Sequence, residues 1–140
     1  MVHALETIGK LLKPGRTLID IHPTTRPPEI SVRTETETHF IGYLKETDEG
    51  IEYAQAEAAL ERSVQAGTFV REYGDQFTFS SHTGTIQSLQ EYLAENWKDA
   101  VLTPEVIDKA VALQNGPGGV EEIVLSEYVH IARLRARAQG

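Results

Sequence analysis

Leu11-Leu12-Lys13-Pro14-Gly15-Arg16-Thr17-Leu18-Ile19-Asp20-Ile21 is the stretch on which the reading of this chain turns. Ahead of it, Leu5, Ile8 and Leu12 recur at helical spacing and predict a helix over residues 3–12. Pro14-Gly15 stops that helix, because proline cannot continue it and glycine accepts turn geometry. Leu18, Ile19 and Ile21 then form a short strand, apolar on both faces, the pattern of a strand covered on two sides. The chain leaves through His22-Pro23 into a loop closed by Pro27-Pro28, where regular structure is excluded.

Working outward, residues 29–33 and 39–45 read as a hairpin across the polar stretch 34–38, with Ile30 and Val32 alternating in its first arm. A turn at 47–50 leads to a helix whose face carries Tyr53, Ala56, Leu60 and Val64, ended by Gly67. Residues 68–73 and 76–80 are strands joined at Gly74-Asp75, or one long bent strand. Ile86, Leu89, Leu93 and Trp97 mark a helix opening near Thr85. The next opens at Thr103-Pro104, with threonine as N-cap and proline at the first helical position. The glycine-rich turn at 115–119 ends it. Ile123, Leu125, Val129 and Ile131 are expected to share one face of a long final strand. The order predicts an α+β fold: a mixed, largely antiparallel sheet with helices packed on it, in a single domain over 1–140.

Composition narrows the function. The net charge of -8 excludes the basic face that nucleic-acid binding needs. Arg133, Arg135 and Arg137, the one basic cluster, read as a solvated edge. The absence of cysteine removes disulfides and thiolate metal sites. There is no signal peptide and no run of 18 apolar residues, so no membrane span is expected and the setting is read as cytoplasmic.

The segment from Lys13 to Ile21 resembles the helix-to-fifth-strand turn of class I SAM-dependent methyltransferases, whose pattern is leucine, a basic residue, Pro-Gly-Gly, then an apolar strand. The family's second glycine is Arg16 here. The resemblance implies that the helix from Tyr53 follows the fifth strand, that residues 68–80 are the sixth, and that residues 121–135 are the long antiparallel seventh. The implied sheet order is fifth, seventh, sixth, the fold being Rossmann-like in its C-terminal half. The front half, which in that family binds SAM through a glycine-rich turn, is absent: no G-x-G follows a strand, and Gly116, Gly118 and Gly119 precede one. No cofactor is therefore expected, nor methyl transfer by this chain alone. Met1 would restart the family's chain inside the helix before the fifth strand. Such a truncation strips the strand running from Thr17 to Ile21 of one neighbour. The hairpin could cover that edge, a second copy could pair with it to give a homodimer, or a separate methyltransferase front-half chain could complete it.

Several side chains are candidates for chemistry. Asp20 and His22 sit at the carboxyl end of a strand, the functional side of an open α/β sheet, where histidine could serve as general base; a polar strand end is the plainer reading. His39, His82 and His130 lack metal-ligand spacing. The pairs Glu121-Glu122 and Asp48-Glu49 flank turns and read as solvated charge. Ser80-Ser81-His82 lacks the glycines of a hydrolase elbow. Trp97, with Tyr92 and Tyr43, could line a small pocket or belong to the core. Three functions follow: a non-catalytic, dimeric interaction module; a subunit of a split methyltransferase; or a small-ligand-binding protein with a pocket around His22, Tyr43, His82 and Trp97.

Overall fold

The computed structural model describes residues 2–47 and 50–138. Met1 and the Asp48-Glu49 pair lie outside the described residues. The fold is α+β with an antiparallel sheet, as the sequence predicts. Among the described residues the order is α1 (Val2–Leu11), β1 (Thr17–Pro23), β2 (Glu29–Arg33), β3 (Thr38–Tyr43), β4 (Lys45–Glu46), α2 (Ile51–Gln65), β5 (Phe69–Thr83), α3 (Ile86–Asn96), β6 (Ala100–Val101), α4 (Pro104–Gln114) and β7 (Glu122–Ala136). The two-residue strands β4 and β6, which pair with each other, carry too little periodicity to be read from sequence. The residues divide into two compact units, each assembled from segments distant in sequence, and β5 and β7 contribute to both. No linker composition marks the division, because no single cut of the chain makes it.

The first unit takes Met1–Thr25, Gly50–Phe77 and Val129–Gly140. Its opening turn follows from the quoted stretch. The Arg16 N–H donates to the Lys13 carbonyl at 3.1 Å, and Gly15 takes φ +83°. Proline at the second position and a left-handed glycine at the third make a type II turn. Arg16 only closes that turn, so the second glycine of the methyltransferase pattern is not required. β1 runs antiparallel to β7, with Thr17 opposite Arg135 and Ile21 opposite Ile131. Leu5, Ala59, Leu60, Phe69, Ala132, Leu134 and Ala136 form the core, with Ile8, Leu12, Leu18 and Val64 against it. Leu60 and Leu134 are fully buried, each contributing about 1.5–3 kcal/mol of transfer free energy. One expectation fails here. β1 is not covered on two sides: Leu18 faces the core, but Ile19 and Ile21 are 51% and 57% exposed.

The second unit takes Arg26–Glu49 and Thr78–Tyr128. β2 pairs with β3, and on its other edge with β7, Ile30 lying opposite Leu125 and Val32 opposite Ile123. The hairpin therefore extends the sheet from β7. Thr34 and Glu37 tie its turn, the Thr34 N–H donating to the Glu37 carbonyl at 2.8 Å. The core comprises Ile30, Val32, Ile41 and Leu44 of the hairpin region, Ile86, Leu89 and Leu93 of α3, Val106 and Ala110 of α4, and Ile123 and Leu125 of β7. Thr103 caps α4 as read, accepting from the Val106 N–H, and Thr85 does the same for α3 with the Ser88 N–H. Along β7 the buried parity changes: Ile123 and Leu125 are buried in this unit, whereas Ala132, Leu134 and Ala136 are buried in the first. Val129 is in phase with Ile123 and Leu125 and is buried, while Ile131, also in phase, is only half-buried.

Candidate functional site

In the first unit, Asp20 and His22 are both on β1, two residues apart and so on one face. That parity brings His22 Nδ1 to 2.5 Å from Asp20 Oδ2. Glu57, on α2, approaches the other ring nitrogen, with Oε2 2.9 Å from Nε2. The His22 and Asp20 side chains retain only 10% and 12% of their exposure. His130, directly across from His22 in the β1–β7 register, lies with its ring centroid 5.1 Å away. Glu57 and Glu61 flank Arg71 of β5 at 3.8 and 3.5 Å, ion-pair separations longer than good hydrogen bonds.

The geometry limits what His22 can do. A general base needs a nitrogen with a lone pair turned to substrate. Here both nitrogens face carboxylates. Either both donate, as an imidazolium, or one donates and the other accepts from a protonated carboxyl; in neither case is a lone pair presented. The cluster ties β1 to α2 through charge-assisted bonds, each contributing about 1.5–3 kcal/mol in general. Glu57 and Arg71 carry no signal in the sequence, and His130, weighed there only for metal-ligand spacing, is brought beside His22 by the strand register. Glu57 is 35 residues from His22, and no spacing rule connects a strand to a later helix at that distance.

The remaining candidates are in the second unit. Tyr43 is 47% exposed and meets Phe40 edge-on at 5.2 Å. His82 lies 3.3 Å from Glu122, which also accepts from Arg33 Nε at 2.8 Å. Burial alone would push the Glu122 carboxyl up, but Arg33 and then His82 outweigh it and hold the group below the usual carboxylate range. Trp97 lines a shallow, open depression of about 530 Å³ with Leu93, Ala100, Val101, Leu102 and Ile107. Neither Tyr43 nor His82 is in its wall. Among the described residues no group of three or more His, Asp or Glu is arranged to hold a metal. Ser80 and His82 form no nucleophile pair: the Ser80 hydroxyl is 3.4 Å from that of Ser126.

The sheet surfaces away from the cores carry the other features. In the first unit Glu72 of β5 bridges Arg133 and Arg135 at 3.3 and 3.2 Å, so the C-terminal arginines are partly neutralised as well as solvated. In the second, the Arg26 guanidinium lies 3.8 Å over the Tyr128 ring and pairs with Glu29 at 3.1 Å. No helix among the described residues is long and apolar enough to cross a membrane. Comparison with protein-family models, with curated proteins and with solved structures finds no match to this chain.

Proposed function

We propose that this chain is a non-catalytic interaction module that self-associates as a two-fold pair along β1. The observation that carries the reading is the exposure of Ile19 and Ile21 on a strand that ends the β1-β7-β2-β3 order, with β7 as its strand partner. A terminal strand with apolar side chains and open backbone groups invites another strand. A two-fold axis through β1 would set two such strands antiparallel and bury the isoleucines of both copies. Charge permits this: the first unit holds eight basic and seven acidic residues, so copies approaching there repel little. The engagement of both His22 nitrogens supports a non-catalytic role. Light scattering behind a sizing column tests the reading. Wild type should run near twice its 15.5 kDa mass, and Ile19→Lys with Ile21→Lys should run as a monomer. A wild-type monomer at all concentrations would sink it.

Descent from the back half of a methyltransferase belongs to the same proposal. It is supported by the residues from Lys13 to Ile21 and by the pairing of β7 with both β1 and β5, the adjacency that the resemblance implies. The same open edge of β1 would also suit a front-half chain. Calorimetry separates the two: the module takes up no SAM, whereas a split enzyme would bind it only when mixed with its other chain.

A further inference from the structure

The second unit presents a different surface, and its chemistry is independent of β1. Its sequence segments hold fourteen acidic and five basic residues, while those of the first unit are nearly balanced. That excess disfavours a second copy of the same unit as partner and favours a cation. On this acidic unit two aromatic rings are held in the open: Phe40 is 55% exposed and Tyr43 is 47% exposed. Three residues apart, they would face opposite sides of a regular strand. They share a side because the β2–β3 register shifts between Ile30 and Ser31, putting Ile30 opposite Gly42 and Ser31 opposite Phe40, with Ile41 as the extra residue. Tyr43 lies directly across from Glu29. β3 also closes the β1-β7-β2-β3 order, with β2 as its strand neighbour.

The chain itself displays the chemistry such a surface accepts. Arg26 lies flat over Tyr128 while its Nη2 pairs with Glu29, an aromatic face and a carboxylate holding one guanidinium. Phe40 and Tyr43 repeat the aromatic part beside the same Glu29.

We propose that β3 is a docking edge for an extended, arginine-bearing peptide segment. The segment adds as a strand beside β3, and alternate arginines lie over Phe40 and Tyr43 in the field of the acidic unit. Strand addition supplies backbone hydrogen bonds, and the two-residue period of the added strand places every second side chain over the rings. Arginine is preferred to lysine because its planar guanidinium stacks.

The test is fluorescence anisotropy with labelled octapeptides of alternating arginine and valine, lysine and valine, and glutamate and valine, on the full chain. The arginine peptide should bind best, more weakly as salt rises, and the glutamate peptide not at all. Phe40→Ser with Tyr43→Ser should weaken the arginine peptide about tenfold, and Leu11→Ser, at an exposed position of the first unit, should leave it unchanged. Both rings are exposed, so the double variant should keep its urea midpoint, which checks that it is folded. Equal binding of arginine and lysine peptides by wild type and the double variant would reduce the effect to net charge and overturn the proposal. So would no binding of any peptide, or a change in oligomeric state on removing the two rings, which would assign the face to self-association.

Discussion

His22 holds two carboxylates of the first unit, those of Asp20 and Glu57. Its replacement by alanine leaves the nearly buried Asp20 carboxyl without its hydrogen-bond partner, and removing one partner of such a bond costs more than the bond is worth. The expected loss is about 1–3 kcal/mol, read as a lower urea midpoint; Glu57→Gln, whose site is more exposed, should lose less. An unchanged midpoint for His22→Ala would show that solvent already satisfies these groups. Glu127 behaves oppositely. Burial pushes its carboxyl above the usual range, so between the ordinary carboxylate pKa and the raised one the folded state holds the proton that the unfolded chain releases. Stability therefore falls as pH rises through that window. Glu127→Gln should remove this component and be more stable than wild type at neutral pH, in urea titrations repeated from pH 4 to pH 7. A parallel loss in both proteins across that range would deny Glu127 the role. At Gly74-Asp75 the sequence allowed a turn or a bent strand, and the strand forms. The Asp75 carboxylate accepts from the Gln76 N–H and from the Tyr73 hydroxyl, both at 2.8 Å. Those bonds, the Gln76 one foremost, hold Asp75 below its ordinary pKa.

Among the elements, β3 and α4 approach at one glycine. A Cβ on Gly42 would come 2.6 Å from Val106 Cγ2, at a backbone φ of +150°. Valine in a helix has one strongly preferred rotamer and cannot turn aside cheaply. Gly42→Ala should therefore destabilise by about 1–3 kcal/mol, and Val106→Ala in the same chain should recover part of it. A loss the same size in both backgrounds would place the cost in the backbone and not in the contact. The element boundaries were legible wherever a local chemical signal existed: Thr103-Pro104 at the cap of α4, Pro14-Gly15 at the turn. β4 and β6 were not, because a two-residue strand is defined by its partner. Nor was the parity change in β7, since Val129, Ile131, Ala132 and Leu134 are all apolar enough to be buried and only packing chooses among them.

At the scale of the whole molecule, charge is divided unevenly. The second unit's segments carry a net -9 and the first unit's +1, which together make the chain's -8. Self-repulsion within such a segment opposes compaction and is screened over about 8–10 Å at physiological salt. The thermal midpoint should rise as salt is taken from a few millimolar to physiological strength, followed by calorimetry. A fall would mean that the surface ion pairs, such as those of Glu72 with Arg133 and Arg135, outweigh the repulsion. The same division assigns the two proposed contacts: self-pairing where charge is balanced, a cationic partner where it is not.

The sequence by itself determined the α+β class, the order of the main elements and the cap that starts α4, because those depend on neighbours within a few residues. It also placed Asp20 and His22 at the carboxyl end of a strand. Only the tertiary structure decided that Glu57 and His130 come to His22 and that the hairpin joins β7. Each of those outcomes is a pairing between residues far apart along the chain. Periodicity and turn chemistry are local and carry no term for such pairings; burial and strand register, which act between distant segments, select them.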